Sequence, residues 1–181
     1  FRSWSKRKLT RLLFRCPLVS KTEYDGAARV SKRSLTDAGG DTAWADAANV
    51  TGDAVLEQSE TTYDADSNPI MVTVRQRFHD ETATGALANP TTAPKARVSY
   101  VTAYYDKANR PTASVNLGTN AGSAYTRPST VPARSDTVLV TSQSYNTAGW
   151  VSSIIDPRGI EDRLTYDNLG RTTKTIEAYA D

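Results

Sequence analysis

Much that would point to catalysis is missing from this chain of 181 residues. There is one cysteine, Cys16, which excludes an internal disulfide and a cysteine-built zinc site. There is one histidine, His79, so a multi-histidine metal centre is excluded as well. No apolar run approaches the roughly 18 residues that a spanning helix needs. The segment 9–14 is broken by Arg11 and is too short for the core of a signal peptide. Hydrophobic residues make up only 38% of the chain, and Thr, Ser, Asp and Ala are abundant. That balance suits an antiparallel sheet with one wet face better than a helical bundle.

Charge of one sign is also scarce, with a formal net charge of +2, but it is unevenly spread. Residues 1–20 carry Arg2, Lys6, Arg7, Lys8, Arg11 and Arg15 and no acid, which leaves the other 161 residues mildly acidic. The main part of the chain therefore has no basic stripe to follow a phosphate backbone, and no nucleic-acid partner is expected. The basic segment itself has two readings: a helix for a membrane surface or nucleic acid, with Trp4, Lys8, Arg11 and Arg15 on one side and Pro17 ending it, or a solvated lead-in. The lead-in is favoured, because one basic run without interleaved aromatics is common. The chain begins at Phe1 rather than Met and is expected to be a piece of a longer protein.

What is present is a repeat. The stretch 145–172 reads as two short strands joined at Asp156-Pro157-Arg158-Gly159, and it begins and ends on the same phrase, Tyr145-Asn146-x-x-Gly149 and Tyr166-Asp167-x-x-Gly170. Related phrases stand at Tyr24-Asp25-Gly26-Ala27-Ala28-Arg29, at Tyr63-Asp64-Ala65-Asp66-Ser67-Asn68 and at Tyr105-Asp106-Lys107-Ala108-Asn109-Arg110. The tyrosines are separated by 39, 42, 40 and 21 residues. Regular spacing on this scale marks a repeat architecture. The long intervals are about twice the short one but hold one motif each, so the excess is read as longer hairpin loops.

Tyr166-Asp167-Asn168-Leu169-Gly170-Arg171 resembles the YD repeat of Rhs and YD-repeat proteins, and Asp156-Pro157-Arg158-Gly159 resembles the turn found between two such motifs. The resemblance covers about residues 22–181 in five copies. Glycine occupies the fifth motif position only at Gly149 and Gly170, with Ala28, Ser67 and Asn109 elsewhere, and arginine follows only at Arg29, Arg110 and Arg171. The resemblance implies a curved, spiralling sheet, part of a hollow shell around a C-terminal toxin or of a large secreted or cell-surface protein. It implies neighbouring YD repeats of the parent chain as partners.

The residues give the motif a physical role. The tyrosine ends a strand and is expected to lay its ring on the neighbouring hairpin with its hydroxyl in water. Asp or Asn beside it accepts backbone N–H groups and caps the turn. The fifth residue needs a positive φ, which costs Ala28 or Ser67 about 1 kcal/mol. Strands are predicted over 29–35, 55–63, 69–78, 96–105, 112–117, 137–145, 151–155 and 160–166. Ile70, Val72, Val74 and Phe78 share one face of their strand, and Val98, Tyr100 and Tyr104 share one face of theirs. The long loops lie at one end of the hairpins. In the first of them, one helical turn over 43–48 is expected to pack Trp44 inward.

Three candidate sites are weaker. Asp64-x-Asp66-x-Asn68 opens like an EF-hand loop, but Pro69 replaces the required Gly and Arg75 the bidentate Glu. His79-Asp80-Glu81 has no nucleophile beside it. Asp156-Pro157 resembles the junction near self-cleaving Rhs cores, but it lies inside an ordinary hairpin, with Val151 where that junction has proline. Tyr100, Tyr104, Tyr105, Tyr125 and Trp150 could stack on sugar rings, with Trp150 and Tyr125 the foremost ligand candidates, but core or inter-hairpin packing explains most of them more cheaply.

The expectation is an all-β chain: residues 1–21 a basic lead-in with some helix, residues 22–181 an array of antiparallel hairpins. Its role is structural and non-catalytic, with no cofactor and no metal. The alternative is a cell-surface glycan-binding or adhesion module.

Overall fold

The structure is a computed structural model and describes residues 18–179. Ten strands, β1 (Val19–Tyr24), β2 (Val30–Thr36), β3 (Val55–Tyr63), β4 (Pro69–Arg77), β5 (Ala96–Tyr105), β6 (Pro111–Gly118), β7 (Leu139–Tyr145), β8 (Val151–Ile155), β9 (Glu161–Tyr166) and β10 (Thr172–Tyr179), make one sheet. They lie in sequence order, and each pairs antiparallel with the next. The protein is thus all-β, an open meander in which every hairpin leans on its neighbours. That arrangement follows from the thin supply of apolar residues, because a lone two-stranded hairpin is marginal in water.

The basic segment 1–17 lies outside the described residues. Val19, Ser20 and Lys21, on the lead-in side of the expected boundary, are the first half of β1, paired with Thr36, Leu35 and Ser34. The last strand, β10, was not foreseen, because Thr172–Tyr179 carries little apolar alternation.

The five tyrosine–aspartate turns join β1 to β2, β3 to β4, β5 to β6, β7 to β8 and β9 to β10, so they lie along one rim. The opposite rim carries three long loops, 37–54, 78–95 and 119–138, and the short turn at 156–160. The long intervals between motifs are therefore loop, as the spacing implied. These loops do not trail from the edge. They fold back over one face of the sheet and make its core.

The register shows what that face contains. One cross-strand row runs Lys21, Ser34, Gln58, Arg75, Val98, and another runs Met71, Thr102, Val115, Val140. The middle of the face is apolar: Val98, Tyr100, Tyr104, Ala113, Val115, Leu117 and Val140 are buried together, with Met71, Tyr125 and Val138 against them. Val50 and Leu87, from two different loops, close a second cluster with Val55 and Ala96. The prediction for β5 agrees with this. In β4, Ile70, Val72 and Val74 do share a face, but the parity that meets the buried row of β5 is Met71, Thr73 and Arg75.

The β1–β4 end of the face is polar, and the loops satisfy it. Buried Gln58 accepts the Leu87 N–H at 3.1 Å and donates to Glu60 at 2.8 Å. Half-buried Arg75 holds Glu60 at 2.6 Å and donates to the Ala88 carbonyl at 3.1 Å. Lys21 lies under loop 37–54, with Asp41 at 2.6 Å, Asp53 at 2.7 Å and the Asn49 carbonyl at 2.7 Å. Asp53, 0% exposed, also accepts from the Thr36 hydroxyl and the Gly40 N–H. Burial works against the Lys21 charge, but Asp41 and Asp53 outweigh it and raise its pKa above the usual lysine value. The ion pair does the work an apolar plug would do elsewhere. In the same loop the helical turn is present, as a 3₁₀ turn over Trp44–Ala48, but Trp44 does not pack inward. The residue is 94% exposed, because the anchor beneath the loop is Lys21 and not the indole.

Removing Asp53 takes one of two carboxylates from buried Lys21 and the shared acceptor from the Thr36 hydroxyl and the Gly40 N–H. Asp53→Ala is expected to destabilise the fold by about 3 kcal/mol. Urea denaturation checks this, and an unchanged midpoint would show that the pair carries no weight.

Candidate functional site

The recurring feature is the corner. In the first, the Asp25 carboxylate oxygen Oδ1 accepts the N–H groups of Ala27 and Arg29 at 2.9 and 3.0 Å, while the Ala28 N–H returns to the Asp25 carbonyl at 3.0 Å. The same set forms at Asp64, Asp106, Asn146, Asp156 and Asp167. The fifth motif residue has positive φ in every copy: Ala28 58°, Ser67 69°, Asn109 58°, Gly149 87° and Gly170 78°. This is a four-residue turn closed by a residue of positive φ, one of the short hairpin connections. Asp156-Pro157-Arg158-Gly159 is the same corner on the opposite rim, with φ 86° at Gly159 and Ile155 in place of tyrosine. The diverged copies keep the geometry, because one side-chain oxygen and two N–H groups define it and no particular fifth residue is required.

Each corner also bulges the ladder. The register slips just before Tyr24, Tyr63, Tyr105 and Tyr145, so the tyrosine pairs with the residue six positions on: Val30, Pro69, Pro111 and Val151. Bulges bend and twist a strand. The tyrosine hydroxyl, expected in water, instead donates to a backbone carbonyl of the preceding hairpin. Tyr63 reaches the Val30 carbonyl at 2.9 Å, Tyr105 that of Pro69 at 3.1 Å, Tyr145 that of Pro111 at 2.7 Å and Tyr166 that of Val151 at 2.7 Å. Two proline acceptors are no accident of chemistry: proline has a carbonyl but no N–H, and it sits at the first residue of its strand.

The sixth motif residue completes the link. Arg29 grips its own Asp25 and stacks on Tyr63, 4.5 Å from the ring centre, while reaching the Ser67 hydroxyl at 3.1 Å. Arg110 grips Asp106 and stacks on Tyr145 at 4.2 Å. Trp150 packs on Tyr166 at 5.3 Å. Asn68 donates to Asn109 at 2.9 Å. The sixth residue of one corner thus meets the fifth residue or the tyrosine of the next. Asn68 and Trp150 had no sequence signal for this part, since neither matches the arginine of the motif. Gly170 is fixed twice over, because a Cβ there would lie 2.9 Å from the Trp150 ring.

The other singled-out residues are placed as follows. Tyr100 and Tyr104 are buried at 8% and 5% exposure in the core cluster, in line with the packing reading rather than with sugar stacking. Tyr125 lies against Tyr100, ring centres 5.8 Å apart. Arg127 covers the Tyr104 ring at 4.0 Å. His79 is exposed, just beyond the end of β4. The Asp64 carboxylate is already occupied by the Asp66 and Asn68 N–H groups and the Asn68 amide. No group of metal-ligating residues is assembled among the described residues.

The RHS Repeat family model matches residues 145–180. That match supports an Rhs/YD-repeat protein. The matched stretch holds two of the five corners, and the other three reproduce its hydrogen bonds. The Rhs repeat is a structural unit rather than a catalytic family, and proteins that carry it are generally extracellular or associated with the cell surface. No curated protein matches the chain. No described helix is long and apolar enough to cross a membrane.

The fifth position gives a paired test. Ala28→Gly is expected to stabilise the fold by about 0.5–1 kcal/mol, strain relief exceeding the added freedom of the unfolded chain. Gly170→Ala is expected to destabilise it by more than about 1 kcal/mol, since φ strain and the Trp150 clash add. Thermal melts of both variants check the pair of signs.

The corner carboxylates also set a pH dependence. The Arg29 N–H and side chain hold Asp25 below its ordinary 3.8, the Asn68 amide and N–H do so for Asp64, and the Arg110 side chain and N–H for Asp106. The Arg171 N–H and side chain lower Asp167. A depressed folded-state value means the stabilisation is complete above about 3.8 and is lost as pH falls through the folded-state values. Melting temperature is expected to drop below about pH 4. Asp167→Asn, which copies the natural Asn146 corner, is expected to fold and to lose part of that dependence. An equal acid sensitivity in the variant would remove corner ionisation as the cause.

Proposed function

We propose that the chain is a non-catalytic wall segment of a secreted or cell-surface Rhs/YD-repeat protein, enclosing or presenting a toxin or effector encoded downstream. The observation that supports this is the linkage of corners: each hairpin is tied to the next by backbone pairing, a tyrosine hydroxyl and a stacked sixth residue, which builds a continuous surface rather than a cleft. The bulge at every corner gives that surface its bend. The polar groups that would serve chemistry elsewhere are engaged in holding turns or loops. The partners of the segment are neighbouring repeats of the same parent chain and, on this reading, the enclosed polypeptide. The glycan-binding alternative needs Trp150 and Tyr125 free to stack on sugar, and both rings lie against other tyrosines.

The test is protection. The parent reading frame is expressed with this segment intact and with Asp106→Ala and Asp167→Ala together, and the downstream polypeptide is challenged with protease. The wall reading expects survival in the first and rapid cleavage in the second. Equal cleavage in both would overturn it, and saturable glycan binding by the isolated chain would favour the alternative.

A further inference from the structure

Beneath loop 37–54 a primary amine is closed in with two carboxylates, and the wall reading makes no use of their chemistry. The Lys21 side chain is 6% exposed and that of Asp53 0%. Lys21 Nζ stands 2.7 Å from Asp53 Oδ2 and 2.6 Å from Asp41 Oδ1. The Asn49 carbonyl accepts a further Nζ–H at 2.7 Å and so fixes the direction of the amine.

Asp53 is held from its other sides. Its Oδ1 accepts the Gly40 N–H at 3.1 Å, and its Oδ2 accepts the Thr36 hydroxyl at 2.8 Å. The Gly40 backbone is packed so closely that a Cβ there would overlap the Thr51 carbonyl. The pocket therefore assembles a nucleophile, a carboxyl carbon beside it, a fixed N–H donor on one carboxyl oxygen and a second carboxylate touching the amine, with solvent excluded. Those are the parts that acyl transfer to an amine requires.

We propose that Lys21 and Asp53 condense to an intramolecular amide, a covalent clasp between β1 and loop 37–54, with Asp41 as proton carrier. The pair is ionised at rest. Burial opposes the charge on each group, but the bonds of Lys21 to Asp41 and Asp53, and those of Asp53 to Lys21, Thr36 and Gly40, outweigh it. One proton passing from Lys21 to Asp53 leaves a neutral amine against a neutral carboxylic acid, and burial lowers the cost of that transfer. The Nζ lone pair then forms the bond to Asp53 Cγ, while Oδ1 takes up negative charge facing the Gly40 N–H. Asp41 removes a proton from Nζ and delivers it to Oδ2. The Cγ–Oδ2 bond breaks, and Oδ2 leaves as water past Asp41, whose side chain is 20% exposed. One ammonium and one carboxylate become one amide and one water, with no oxidant, reductant or other reactant. The amide keeps one N–H for the Asn49 carbonyl. Two buried charges give way to a neutral group, which removes the desolvation cost of the ion pair. Lys21 is on β1 and Asp53 precedes β3, so the clasp spans β2 and closes residues 21–53 into a ring.

The experiment is intact-mass spectrometry of the purified folded chain, with tandem mass spectrometry of its protease digest. The wild type is expected to be lighter than its sequence by one water and to yield a branched peptide joining Lys21 to Asp53. Lys21→Arg keeps the charge but lacks the primary amine, and it is expected to show the full mass. Asp41→Asn keeps the shape of the carrier without its proton chemistry. In cell-free synthesis sampled over time, its linkage is expected to be about a hundredfold slower than that of the wild type. Full mass in the folded wild type, or loss of water without the branched peptide, overturns the clasp and leaves an ion pair only. A Lys21→Arg chain that still loses water overturns it too, and linkage of Asp41→Asn at the wild-type rate overturns the part given to Asp41. None of these results touches the wall reading, which fails only in the protease experiment.

Discussion

One carboxylate or carboxamide oxygen accepting two backbone N–H groups is the constraint from which the rest of the sheet follows. With Asp or Asn at the second motif position, the chain reverses in four residues and the fourth of them enters the left-handed region. The extra residue forces a bulge, the bulge sets the tyrosine in register with the residue six places on, and that placement carries its hydroxyl to the preceding hairpin. A local hydrogen-bond pattern thereby becomes a rule for assembly between units. The rule tolerates Ala, Ser, Asn or Gly at the fifth position because an L residue pays only modest strain there.

The opposite rim follows a different logic. Its loops have no common sequence and no common conformation, yet each is drawn down over the same face. Lys21 with Asp41 and Asp53 fastens the first, Gln58 and Arg75 hold the second, and Tyr100 and Tyr104 receive the third. The sheet is poor in aliphatic side chains on this face at the β1–β4 end, so charge pairs and amide hydrogen bonds take the place of packing. Such groups stabilise only while each has its partner. The last hairpins have only the short turn at 156–160 on this rim, and their face, with Glu161, Arg163 and Ile176, is only half-buried.

Function in such a molecule is a property of the surface as a whole. A repeat whose units touch only their neighbours has stability spread along its length and strands left open at its edges. Insertions at one rim change what the wall presents without disturbing the corners, which explains how intervals of 39, 42, 40 and 21 residues coexist in one sheet. The corner rim carries continuity, and the loop rim carries variation.

The sequence by itself determined the corners, the strands between them and their alignment on one rim, because turns of this kind are made by four or five adjacent residues and alternation is written residue by residue. It determined that the long intervals are loops, and it placed Val98, Tyr100 and Tyr104 on one face. Tertiary structure alone decided where the loops go, that Trp44 faces solvent while Lys21 is buried, that the tyrosine hydroxyls are bonded, and that Asn68 and Trp150 serve the part arginine serves elsewhere. Those outcomes depend on which residues of distant segments meet across strand pairs and beneath loops. Such meetings are set by register and burial, and neither is expressed in the local pattern of the chain.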